Sequence, residues 1–214
     1  MSSKDPLPVR RRLSREGRHE QLLEVAWQVV REEGTDALTL GRLAEAAGVT
    51  KPVVYDHFGS RSGLLAVLYQ AFDDRQTALM DAALASGEAT LQGQAQVIAR
   101  SYVTCVLTQG QEIAGVIAAL AGSPQLSIVK AEYEVIFLNK CRAALAPFAG
   151  EGGVSQAGLR GMLGAAEALS HAAATGEISP SQAQQELFET IVGMVGRQRG
   201  SAAPVSPPPG GRDT

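Results

Sequence analysis

Side chains able to do covalent or acid–base chemistry are few and scattered in this chain of 214 residues. His19, His57 and His171 lie far apart, and no serine-histidine-acid or cysteine-histidine arrangement can be assembled from neighbouring positions. Cys105 and Cys141 have no CxxC or CxxH neighbour, so neither a metal site nor a disulfide framework is indicated. With no phosphate loop, metal-ligand cluster or nucleophile elbow either, the chain reads as a non-enzyme without a cofactor. Chemistry is concentrated instead between Thr39 and Arg61, in the run TLGRLAEAAGVTKPVVYDHFGSR. It reads as two short helices joined by a tight glycine-containing turn. Set at a large angle, such a pair is a helix-turn-helix, which lays the leading residues of its second helix against base edges in the DNA major groove. The same pattern also suits a small antiparallel helix pair.

The elements that position these residues follow from period and caps. Leu40, Leu43, Ala44 and Ala47 fall at i, i+3, i+4 and i+7, which gives the first helix one buried stripe. Thr39 is its expected N-cap, and Gly48 stands where a left-handed residue closes the last turn. Val49 plugs the angle. Thr50 is a second expected N-cap, followed by Pro52 in a first turn that tolerates its missing N–H, and the helix runs to about His57. Val54 and Phe58 belong to the core. Ahead of the pair, Glu16 to Glu33 predicts a supporting amphipathic helix, with Leu22, Leu23, Ala26, Trp27, Val29 and Val30 inward and Gly34 at its end.

The run Thr50-Lys51-Pro52-Val53-Val54-Tyr55-Asp56-His57-Phe58, continued by Ser60-Arg61 and Leu64-Leu65, resembles the TetR family of bacterial transcriptional regulators. That family's DNA-binding domain carries T-x-x-x-[LFV]-Y-x-H-F, then [SN]-[KR] and a leucine pair at this spacing. The resemblance covers roughly Glu16 to Gln76. It implies that Lys51, Pro52 and Val53 read bases: lysine donating to guanine O6 or N7, proline and valine packing on a thymine methyl. It further implies that Thr39, Thr50, Tyr55, His57 and Arg61 hold phosphates, which fixes register more than it reads sequence. Arg42 stands where the family has Asp or Glu, so the reciprocal capping box with Thr39 is lost and a positive charge appears near the expected backbone track. Gly41 replaces a polar side chain common in relatives. Asp56 either accepts from cytosine N4 or turns away to pair with a nearby arginine, surface pairing being the preferred reading.

Charge distribution points the same way, although the formal net charge is −3. Residues 1–18 hold six basic side chains against Asp5 and Glu16, whereas residues 76–214 hold eleven acids against eight bases. Residues 1–15 read as a disordered basic arm whose Arg10-Arg11-Arg12 run suits a solvated segment or a neighbouring minor groove. Scarce aromatics and abundant alanine and glycine suit close-packed helices. No apolar run approaches the ~18 to 20 residues of a membrane span and no leader segment is evident, which leads to the expectation of a cytoplasmic protein.

Downstream, Ser60 is expected to cap a long helix from Arg61 carrying Leu64, Leu65, Leu68, Phe72 and Leu79 inward. Further helices are predicted over about 89–109, 111–121, 124–148, 155–175 and 180–198, with Ser123-Pro124 and Ser179-Pro180 as starts and Ser179 and Gln182 at capping-box spacing. The expected fold is all-α with about nine helices: a helix-turn-helix domain over 16–76 with its core at 39–58, a helical effector-binding and dimerisation domain over 77–199, and a disordered tail over 200–214. Gly158, Gly161, Gly164, Ala165, Ala168 and Ala172 line one face of the eighth helix, and Leu187, Phe188, Ile191, Val192 and Val195 supply bulk on the ninth. In relatives such a pair builds a four-helix bundle with a second subunit; internal packing alone is the alternative. The resemblance implies a homodimeric, ligand-responsive regulator, read here as a repressor, that binds a double-stranded DNA operator and is released by a small-molecule effector. Tyr102, Cys105, Tyr133, Phe137 and His171 are candidates to line the effector pocket. The alternatives are an all-helical enzyme, or an interaction protein acting through dimerising helices, with a degenerate DNA-binding head.

Overall fold

The computed structural model describes residues 13–200, so the arginine-rich arm and the tail from residue 201 lie outside the described residues. Nine α-helices and two short 3-10 turns make up the described elements, without a strand among them: α1 (Arg15–Glu33), a 3-10 turn (Thr35–Ala37), α2 (Leu40–Ala47), α3 (Lys51–Phe58), α4 (Arg61–Ser86), α5 (Leu91–Glu112), α6 (Ala114–Leu120), α7 (Pro124–Leu145), a 3-10 turn (Ala146–Phe148), α8 (Gln156–Ala174) and α9 (Pro180–Gly200). The all-α expectation is met. No single described helix is long and apolar enough to cross a membrane.

The chain divides into two compact units, one formed by residues up to Gln70 together with Gly115–Leu126, the other by Ala71–Ala114 and the residues from Ser127 onward. In the first unit, α1, α2, α3 and the start of α4 close around Leu22, Ala26, Leu38, Leu43, Val54, Leu64, Leu65 and Leu68, all buried. The sequence reading assigns Gly115–Leu126 to the C-terminal domain. Its place in the first unit has a visible cause: Gly115 sits so close to Thr35 that a Cβ there would lie 2.5 Å from the threonine hydroxyl.

In the second unit, α5, α8 and α9 supply most of a core that includes Ile98, Ala99, Val103, Leu159, Met162, Ala166, Leu187, Ile191 and Val195, with Met80 from α4 and Leu138, Cys141 and Leu145 from α7. α9 opens with the predicted capping box in both directions: the Ser179 N–H donates to Gln182 Oε1 at 2.8 Å and the Gln182 N–H to Ser179 Oγ at 3.2 Å. On α8, Gly161, Gly164 and Ala168 are exposed while Leu159, Met162, Leu163 and Ala166 face the core.

Three expectations are corrected. Leu79 is 60 % exposed, because at that turn of α4 the neighbouring Met80 holds the buried side and Leu79 lies off it. Trp27 is only half-buried and borders an open groove with Glu24, Val25, Gln28 and Arg31. The predicted break between residues 109 and 111 falls at Ile113, and the helix expected over 124–148 ends at Leu145 and continues as a 3-10 turn.

Candidate nucleic-acid interface

The turn between α2 and α3 is built as its residue types require. Thr39 Oγ1 accepts the Arg42 N–H at 3.0 Å, capping α2. Gly48 takes the left-handed conformation, φ 63° and ψ 36°. Its N–H donates to the Glu45 carbonyl and the Val49 N–H to the Ala44 carbonyl, the crossed pair that closes a helix before a change of direction. Thr50 departs from expectation: it occupies the N-cap position of α3, but its hydroxyl makes no cap bond. Its side chain stands exposed at the mouth of the helix.

α3 is divided by its own period. Val54 is fully buried and Phe58 nearly so, one turn apart, and they seat the helix in the first unit's core. Lys51 and Pro52 are exposed, Val53 is half-buried, and Tyr55 is 54 % exposed. The first turn therefore projects from the body. A Cβ at position 41 would meet Lys51 Cε at 3.5 Å and Nζ at 3.7 Å, ordinary contact distances.

The charged residues are less free than their types suggest. Arg42 grips Glu33 at the end of α1 through both Nε and Nη2, with its shortest bond at 2.6 Å. That hydrogen bond holds the Glu33 carboxyl below its ordinary range and raises the Arg42 guanidinium above its own. Where a capping box would tie α2 to itself, Arg42 ties α2 to α1. Arg61 points away from the exposed face of α3: its Nε donates to the Leu38 carbonyl and its Nη2 to the Thr35 carbonyl, each at 2.8 Å. Asp56 lies 4.0 Å from Arg15, the surface pairing preferred above. His57 is half-buried against Phe58 and the ring of His19 on α1. Burial first, then the neighbouring His19 and Arg15, hold its imidazole below the usual histidine range, with Asp56 acting in the opposite sense.

Of the candidate effector residues, four are brought to α5 and α7. Tyr102 and Phe137 pack with ring centroids 5.0 Å apart. Cys105 lies one turn beyond Tyr102 and is half-buried; desolvation, then the buried Asp73, pushes its thiol up to about 12. Tyr133 donates to Asp74. His171 does not join them, being exposed on α8. Among the described residues, no group of His, Cys, Asp or Glu is placed to hold a metal ion. The functional neighbours that sequence reading missed are His19 and Glu33, which touch His57 and Arg42 only across the fold and carry no local signal.

Residues 22–68 match the family model described as "Bacterial regulatory proteins, tetR family". The HTH-type transcriptional activator FasR of Mycolicibacterium smegmatis is 44 % identical over 64 residues, which is 29 % of this chain and 29 % of that protein. The chain thus matches under a third of the length of that curated relative. A transcriptional regulator structure from Pseudomonas aeruginosa superposes with a TM-score of 0.67 at 18 % identity, covering 88 % of this chain and 96 % of that one. A TetR-family regulator structure from Rhodococcus does so with a TM-score of 0.62 at 20 % identity, covering 83 % and 98 %. At these identities the structural likeness speaks to the fold.

Proposed function

We propose, for a chain that belongs to the TetR family of bacterial regulatory proteins, that it is a homodimeric, sequence-specific DNA-binding transcriptional regulator whose operator occupancy is set by a small-molecule effector. The observation that carries this is the division of α3: Val54 and Phe58 fix the helix from below, and Lys51, Pro52 and Val53 lead an outward first turn of a shape that fits the major groove. Lys51, Pro52 and Val53 are assigned to bases. Thr39, Thr50, Tyr55 and His57 are assigned to phosphates. Arg42 and Arg61 are assigned to bracing the head, because their guanidiniums already serve Glu33 and two backbone carbonyls.

Dimerisation is assigned to α8 and α9, whose exposed small residues Gly161, Gly164 and Ala168 permit close approach of a second helix pair. The effector is assigned to the second unit, around Tyr102, Cys105, Tyr133 and Phe137. An effector that favours the DNA-incompetent state with a coupling of ~1 to 3 kcal/mol lowers operator affinity by ~5- to 150-fold. Repression by occlusion is the primary reading. Activation is the second, favoured by one observation, the activator named among the relatives.

The test is selection of bound duplexes from a random pool. An enriched motif with dyad symmetry is expected, followed by a reporter assay to fix the sign. Failure to enrich any motif would refute the function.

A further inference from the structure

A side-chain cluster lies where α1 meets α3. His19 and His57 face one another with ring centroids 5.6 Å apart, and both rest against Phe58, at 5.4 and 6.0 Å. α1 also brings Arg15 and Arg18 into the field of His57, and the opposing charge acting on it is Asp56, from its own helix. Arg15 lies 4.0 Å from that carboxylate, so the compensation is shared. Burial first, then the neighbouring His19, Arg15 and Arg18, disfavour the imidazolium of His57 and hold it below the ordinary histidine range.

We propose that binding to a phosphodiester backbone is coupled to proton uptake at His57, with His19, its ring 5.6 Å away, as the positioning residue for that imidazole. The inference rests on the DNA-binding reading above. A phosphate at α3 adds negative charge beyond that of Asp56, which Arg15 shares, so the imidazolium is more favoured in the complex than in the free protein. Binding then gains one proton per chain. Since the bound state holds the extra proton, affinity is highest at low pH. It falls by up to roughly tenfold per pH unit for each chain that binds, between the titration points of the free and bound states.

The experiment uses the full chain and a labelled random-sequence duplex of about 30 base pairs at low salt, because phosphate contacts do not depend on sequence. Anisotropy titrations from about pH 5.5 to 8.5 bracket the histidine range. Wild-type affinity is expected to fall with pH, and calorimetry in two buffers of different ionisation enthalpy should register the proton taken up. His57→Gln and His57→Phe should flatten the profile. His19→Gln should move its midpoint to higher pH while keeping the low-pH affinity, a result that loss of packing alone would not produce. A flat wild-type profile, or one unchanged by the His57 variants, would overturn the inference and leave the DNA-binding reading standing. No binding at any pH would overturn both.

Discussion

Replacing Arg61 with alanine separates two roles that its position in the sequence leaves superimposed: holding a phosphate and holding the head together. The guanidinium makes two hydrogen bonds of 2.8 Å to the carbonyls of Leu38 and Thr35, which lie 23 and 26 residues away in the chain. A hydrogen bond from a charged donor contributes ~1.5 to 3 kcal/mol. The side chain is 37 % exposed, so water can reach the abandoned carbonyls and the lower end of that range applies to each bond. Asp36, 3.9 Å away and fully exposed, adds little. The expected loss is therefore ~2 to 3 kcal/mol in the stability of the first unit, and Arg61→Lys should recover part of it through one remaining bond. Trp27, the single tryptophan of the chain, lies in the same unit, so urea unfolding followed by its fluorescence reads this quantity directly. A phosphate contact would instead lower the salt dependence of DNA binding by about one unit of slope and leave the unfolding midpoint in place. An unmoved midpoint together with a shallower salt slope would refute the bracing assignment.

Lys51→Ala should relax preference at one base position at a cost of ~1 to 3 kcal/mol, read by repeating the duplex selection; an unchanged motif would remove Lys51 from the reading set. Gly115→Ala should destabilise the first unit by ~1 to 2 kcal/mol despite its better helix propensity, because the new Cβ lies 2.5 Å from Thr35 Oγ1 and 3.2 Å from its Cβ. Thr35→Ala should relieve most of that loss, and a double-mutant cycle without coupling would argue against the contact. Ser170→Ala should be neutral or stabilising by up to ~1 kcal/mol, since this hydroxyl is fully buried without a hydrogen-bond partner among the described residues; a clear loss in the unfolding midpoint would contradict that. Cys105, its thiol pushed up to about 12, should resist alkylation in the native protein at pH values near 8 and react on unfolding; rapid native labelling would contradict its burial.

What the sequence made legible was mostly local. Gly48 closes α2 because its left-handed backbone is a property of one residue, and Ser179 with Gln182 caps α9 because both partners lie within one turn. The seating of α3 on Val54 and Phe58 follows from period alone. What escaped depends on pairs distant in the chain: Arg42 with Glu33, Arg61 with the turn at Thr35–Ala37, His57 with His19, Gly115 with Thr35. Each of these residues has a plausible solvent-facing role when read singly. Thr50 shows the converse, a residue type that predicts a cap bond the backbone at that corner does not engage. Leu79 shows that an apolar residue on a long helix need not lie on its buried side.

The side chains of α3 that meet solvent and those that anchor it do not overlap. Val54 and Phe58 are spaced four apart, and of the three positions ahead of Val54, Lys51 and Pro52 are exposed and Val53 is half-buried. Substitutions at 51 and 52, and less so at the half-buried 53, are consequently exempt from most of the selection that folding imposes, and under the proposed base-reading role drift there is expected to change the DNA sequence addressed without endangering the protein. Under that proposed role, a duplicated copy of this gene would acquire a new target through a handful of changes in one helical turn, long before its body diverged.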